Sequence, residues 1–138
     1  MLIDSNILVY AINKSSPKHK KAQEFLRNSP LQLFVAHQNI FETLRVLTHP
    51  KFSRPMKPEE ALDAIFAITD TMSFVYPSDK TVYVATELVR KHNIKSNAVF
   101  DAYLVATMLS CGVDEIATDN ERDIKLFEGI KVHNPFKG

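Results

Sequence analysis

The chain has 138 residues, enough for one domain with a proper core, and its 45% hydrophobic and 24% charged content excludes a disordered or fibrous protein. Its only glycines are Gly112, Gly129 and Gly138, which excludes the closely spaced glycine loops of dinucleotide and P-loop phosphate binding. The net charge of +1 names no partner, the single Cys111 forbids an internal disulfide and suits a reducing cytoplasm, and no stretch reads as a membrane span or export signal.

Met1–Asp4 reads as an opening strand ending on an acid. Asp4-Ser5-Asn6, all residue types that favour a helix N-cap, then lead into a helix Asn6–Ile12. A helix Pro17–Asn28 and a strand Leu31–Val35 follow. The next helix, Asn39–Leu47, holds Glu42 among Ile40, Leu44 and Leu47, with Arg45 three residues on and in reach for an ion pair. His49–Lys57 is an irregular basic segment that could border a substrate groove or simply join two helices. Pro58 with Glu59-Glu60 suits the first turn of a helix Glu59–Thr71, because proline loses no hydrogen bond there and acids meet the positive dipole end. Ser73–Tyr76 reads as a strand, Asp79–His92 as a helix, and Ala98–Cys111 as a helix that Asn97 could cap and Gly112 could end. Glu115–Thr118, Asn120–Phe127 and Lys131–His133 complete the pattern as strand, helix and strand. This alternation predicts an α/β fold: a central, mostly parallel sheet of about four to five strands flanked by helices, in one domain over residues 1–138.

Four acids stand in partly apolar settings where an isolated carboxylate is expensive: Asp4, Glu42, Asp101 and Asp119. Asp4 and Asp119 end strands, where ligand sites of parallel sheets gather. Each of these two could equally cap a helix, and Thr118 could cap as well. Asp123 fits a cap-supporting role and ranks as a fifth acid. Asp101 resists such explanations, since Val99-Phe100 precede it and Ala102 to Ala106 follow in a helix apolar nearly all round. If the four converge, their like charges raise one another's pKa, and two Mg²⁺ or Mn²⁺ ions would balance them. Such ions can supply an activated water for an in-line phosphodiester displacement. The five histidines show no zinc spacing, and neither a nucleophile elbow nor a paired Cys–His motif is present. Residues 1–60 carry nine Lys/Arg against five Asp/Glu, while residues 61–138 carry eight against eleven. Basic residues of the first half, among them Arg45, Lys51 and Arg54, could hold a phosphate backbone at the rim of an acidic pocket.

Four segments, in order, resemble the motifs of one family. These are Asp4-Ser5-Asn6 after the opening strand, Glu42 within Asn39–Leu47, Phe100-Asp101-Ala102-Tyr103-Leu104-Val105-Ala106, and Ile116 to Asp123. In this order, across essentially the whole chain, they resemble a PIN domain of the VapC toxin type. The segment Thr48 to Leu62 is similar to a VapC subgroup. The resemblance implies a Mg²⁺- or Mn²⁺-dependent endoribonuclease, a homodimer, inhibited by a small VapB antitoxin. It implies Asp4, Glu42, Asp101 and Asp119 as the metal-site acids, with Ser5, Asn6, Thr118 and Asn120 as supporting polar groups. Many relatives read Thr-x-Asn-x-x-Asp-Phe in the last motif, whereas this chain reads Thr118-Asp119-Asn120-Glu121-Arg122-Asp123-Ile124. The fourth acid is therefore Asp119 first and Asp123 second. The alternative to catalysis is a PIN-like RNA-binding module. A phosphatase with Asp4 as nucleophile is disfavoured, because no second Asp stands two residues after it.

Overall fold

Short apolar runs become strands in the computed structural model, which describes residues 1–137. They are β1 (Leu2–Ile3), β2 (Phe34–Ala36), β3 (Ser73–Val75), β4 (Glu115–Ala117) and β5 (Lys131–His133). The sheet order is β3-β2-β1-β4-β5, and every adjacent pair runs parallel, so the expected mostly parallel sheet is parallel throughout. Between the strands lie α1 (Ser5–Ile12), α2 (His19–Asn28), α3 (His37–Thr48), α4 (Pro58–Thr69), α5 (Thr81–His92), α6 (Ala98–Ser110) and α7 (Glu121–Ile124).

The side-chain period of two divides the strand residues between two cores. Leu2 lies opposite Ile116 in register and Ile3 opposite Ala117. Ile3, Val35 and Ala117 face a layer built from α1, α3 and α4, with Ile7, Leu8, Ile40, Leu47 and Ile65 buried there. Leu2, Ala36, Val75 and Ile116 face the other layer, where α6 contributes Ala102, Leu104, Val105 and Met108. Both faces are thus covered, which is what permits the uniformly apolar central strands β1 and β2. The two cores hold the carboxyl edge of the sheet rigid, and that edge carries the site.

Termini of the elements follow local chemistry. Gly112 takes φ +73° after α6, with its N–H on Leu109 O and the Val113 N–H on Met108 O at 2.9 Å, a Schellman closure that only glycine enters freely. α5 begins at Thr81, two residues later than expected, because the Thr81 hydroxyl accepts the Ser78 N–H at 2.9 Å and fixes the start. β2 begins at Phe34 instead of Leu31: Leu31 is 48% exposed, and the pairing starts where the Phe34 N–H meets Met1 O. α7 ends at Ile124, three residues short of Phe127, which packs into the core from a turn instead. Asn97 makes no side-chain cap, correcting its expected role at the start of α6. Among the described residues no helix is long and apolar enough to cross a membrane.

Candidate active site

β1 and β4 lie side by side at the centre of the sheet, and each hands its chain to a polar turn at the same edge. Asp4 follows β1, with its N–H bonded to Ala117 O at 3.0 Å. It caps α1 through the Ser5 N–H at 2.8 Å, so the N-cap expectation holds, yet the carboxylate does more than cap. Oδ2 accepts from the Thr118 hydroxyl at 2.7 Å and from Asn6 Nδ2 at 3.4 Å, and Oδ1 from Asn39 Nδ2 at 3.4 Å. Burial pushes the Asp4 carboxyl up and the Glu42 charge adds to this, against the lowering effect of the hydrogen bonds from Thr118, Ser5 and Asn6. Three of the four expected supporting groups, Ser5, Asn6 and Thr118, therefore meet on Asp4. Asn6 also accepts the Asp119 N–H at 3.0 Å, and Thr118 accepts the Asn120 N–H at 3.0 Å.

Glu42 reaches the same edge from α3. Ser5 Oγ donates to its Oε2 at 3.1 Å and Gln38 Nε2 to its Oε1 at 2.6 Å. The expected ion pair with Arg45 does not form among the described residues. Both residues instead line one open cleft of about 720 Å³, together with Gln38, Asn97, Asp101 and Asp123. Asp101 projects from the first turn of α6, and its carboxyl is pushed up to about 6 by burial and by the charges of Asp123, Asp4 and Glu42. Those three acids are thus its electrostatic neighbours, and Asp119 is not among them.

Asp119 has other commitments. Its Oδ2 accepts from Tyr10 at 2.8 Å and from Lys18 at 2.5 Å, and Asn134 donates to Oδ1 at 3.3 Å. The Lys18 ammonium sits 5.1 Å from the Tyr10 ring centroid and 5.3 Å from that of Phe136. Burial pushes the Asp119 carboxyl up, but Lys18, Tyr10 and Asn134 together hold it below the usual carboxylate value. The geometry thus differs from the sequence ranking. Asp119 turns into an adjoining cleft beside Lys18, whereas Asp123 lines both that cleft and the one holding Glu42 and Asp101. Asn120 donates to Asp123 at 2.8 Å and supports it from the side. Of the proposed basic contacts, Arg45 lines the acidic cleft, while Lys51 and Arg54 are exposed in the 49–57 segment and do not.

The roles of two residues and the pairing of a third carry little signal in the sequence. Gln38 precedes Glu42 by four positions, the spacing that places two side chains on one helix face. Asn39 is fully buried; it accepts the Ala36 N–H at 3.0 Å and donates to Ser5 and Asp4. Lys18 is 101 residues from its partner, a separation without any local signal. Asn39→Ala is expected to lower stability by about 2–4 kcal/mol, because it leaves buried polar partners unmade; chemical denaturation measures this.

The donor set fits a hard divalent cation. It consists of carboxylate oxygens without thiol or imidazole, and burial, with the repulsion of neighbouring acids added, raises Asp101 to about 6. Among the described residues, no three His, Cys, Asp or Glu side chains close to metal-ligand spacing.

Known proteins share this architecture. VapC20 of Mycobacterium tuberculosis, a sarcin–ricin loop cleaving toxin, superposes with a TM-score of 0.70 at 16% identity, over 94% of this chain and 98% of its own. A toxin–antitoxin complex from Klebsiella pneumoniae gives 0.70 at 19% identity, over 99% and 98%. Ribonuclease VapC48 of Mycobacterium tuberculosis is 30% identical over 141 aligned residues, spanning 98% of this chain and 97% of that protein. The PIN domain family model matches residues 1–128, and the chain belongs to the PIN domain family.

Proposed function

We propose that the protein is a Mg²⁺- or Mn²⁺-dependent endoribonuclease, the toxin of a VapBC-type pair. One observation carries this reading: Glu42, Asp101 and Asp123 line one cleft, with Asp101 pushed up to about 6 by burial and by the charges of Asp123, Asp4 and Glu42. The similarity to ribonucleases VapC48 and VapC24 supports RNA as substrate. The chemistry a divalent cation supplies in such a site is activation of water and neutralisation of phosphoryl charge.

The chain's own part is positional. Thr118, Ser5, Asn6 and Asn39 fix Asp4; Ser5 and Gln38 fix the two oxygens of Glu42. Asp4, Glu42, Asp101 and Asp123 would hold the cation, with Asp119 acting through Lys18 as a brace for the turn after β4. Arg45 at the cleft wall is placed to grip a phosphate of the substrate. Lys51 and Arg54 would meet RNA only farther along its backbone.

Partners follow the same reading. A small VapB-type antitoxin would block the cleft, and the solved complexes of similar fold support that pairing. A second copy of this chain would cover the exposed apolar strip of Val82, Tyr83 and Phe100. The exposed unpaired Cys111 fits a reducing cytoplasm, where RNA is also found.

Antitoxin-free protein is expected to cleave RNA from a total-RNA pool with Mn²⁺ or Mg²⁺ and to stop with chelator; gel analysis of the products decides. No cutting with either metal sinks the reading. The competing reading, an RNA-binding module without catalysis, draws on the absence of metal-ligand spacing among the described acids. It requires RNA binding that survives Asp101→Asn and no turnover in the parent protein.

A further inference from the structure

Gln38 is the second residue of α3, and its amide is fully engaged on one side. Nε2 donates to Glu42 Oε1 at 2.6 Å and to the Phe100 carbonyl at 3.0 Å, which uses both of its hydrogens. Both partners are acceptors, so the amide orientation is determined: a flipped Gln38 would set its oxygen against a carboxylate and a carbonyl. In this orientation Oε1 is buried and has no hydrogen-bond partner among the described residues. An orphaned buried acceptor is costly, so the two bonds made by Nε2 outweigh a standing penalty.

The partners are informative. Glu42 is one acid of the cleft, and Phe100 is the residue immediately before Asp101, another acid of the cleft. α3 packs on α1 and α4, whereas α6 packs on α5 and α7. The Gln38 to Phe100 bond is the one hydrogen bond that joins α3 to α6 among the described residues. With Ser5 holding the other oxygen of Glu42 at 3.1 Å, the carboxylate is pinned from two sides.

We propose that Gln38 is a positioning residue of the site, whose amide sets the gap between Glu42 and Asp101 and so the cation affinity of the cleft. This rests on the cation-dependent reading of the same cleft. Gln38 itself touches neither cation nor RNA; it acts through Glu42 and through the first turn of α6. Partners at this remove from a metal typically govern roughly 10–100-fold in affinity or activity.

The test measures Mn²⁺ binding to the full chain without RNA, by the electron paramagnetic resonance signal of free Mn²⁺, for the parent and for Gln38→Met. Methionine keeps length and helix propensity while removing both bonds. Gln38→Asn, one methylene too short to span both acceptors, is the second variant should the first not fold. The expected result is Mn²⁺ affinity lowered roughly tenfold to a hundredfold, with cleavage partly restored at high Mn²⁺ and KM for RNA changed less than about twofold. A thermal midpoint equal to the parent's in chelator is also expected, since the orphaned oxygen disappears with the bonds. Parent-like Mn²⁺ affinity in the folded variants overturns the role of Gln38 alone. A parent protein that binds no Mn²⁺ overturns the cation reading and this proposal with it.

Discussion

Asp101→Asn and Asp123→Asn are each expected to reduce RNA cleavage by roughly a thousandfold or more, while Asp119→Asn stays within about tenfold of the parent. The contrast comes from where the three carboxylates point. Asp101 and Asp123 share a cleft with Glu42, and the charge of Asp123 leads the acidic neighbours that raise Asp101. Asp119 has both oxygens occupied, one by Tyr10 and Lys18 and the other by Asn134, and its charge is already balanced by an ammonium 2.5 Å away. Turning it into the cleft would break all three bonds and strand Lys18 between the Tyr10 and Phe136 rings. Initial rates on one RNA at fixed Mn²⁺ measure the effect. A dead Asp119→Asn beside an active Asp123→Asn would reverse the assignment of the fourth acid.

The second large effect concerns stability. Asp101 has an ordinary carboxylate value near 3.8 in the unfolded chain and about 6 in the folded one. The folded protein therefore binds this proton more tightly than the unfolded chain does. Stability from the neutral form is fully present below about 3.8 and is lost as pH rises through about 6. Because Asp101 is only partly buried, solvent screening cuts the effect to about 1–2 kcal/mol. Asp4, pushed up chiefly by burial, acts in the same direction. In chelator at pH 7, Asp101→Asn is thus expected to melt about 4–8 °C above the parent, and at pH 4 the two should coincide. Saturating Mn²⁺ should raise the parent's midpoint and leave that of Asp101→Asn nearly still. Coincident melting curves at pH 7 would show that the acids do not strain the fold. A substitution that stabilises the metal-free protein is then also one expected to abolish cleavage.

Much of this was legible in the sequence, for identifiable reasons. Each strand and helix shows in the alternation of apolar runs, because burial on both faces of a parallel sheet demands it. Boundaries slipped where pairing decides them: Leu31 is as apolar as Leu33, yet only the latter packs into the core. Asp4, Glu42 and Asp101 stood out because a carboxylate amid apolar neighbours needs an explanation. Asp119 stood out on the same ground, but nothing local separates it from Asp123, since the two differ only in what they meet in space, and Lys18 lies far away in the chain. Asn97 looked like a cap by residue type, but the backbone places it at the cleft wall without capping.

The two-residue β1 stands in the middle of the sheet, between β2 and β4. Its flank on β4, and the hydrogen bond from the Asp4 N–H to Ala117 O, await a segment more than a hundred residues downstream. Closing so long a loop comes late in folding. On a ribosome, the first acid emerges early and stays without its sheet partner until β4 and then Asp123 have left the exit tunnel. A half-made chain therefore has no assembled cleft. For the ribonuclease proposed above, this topology delays the hazard until both strands of the central pair have been made.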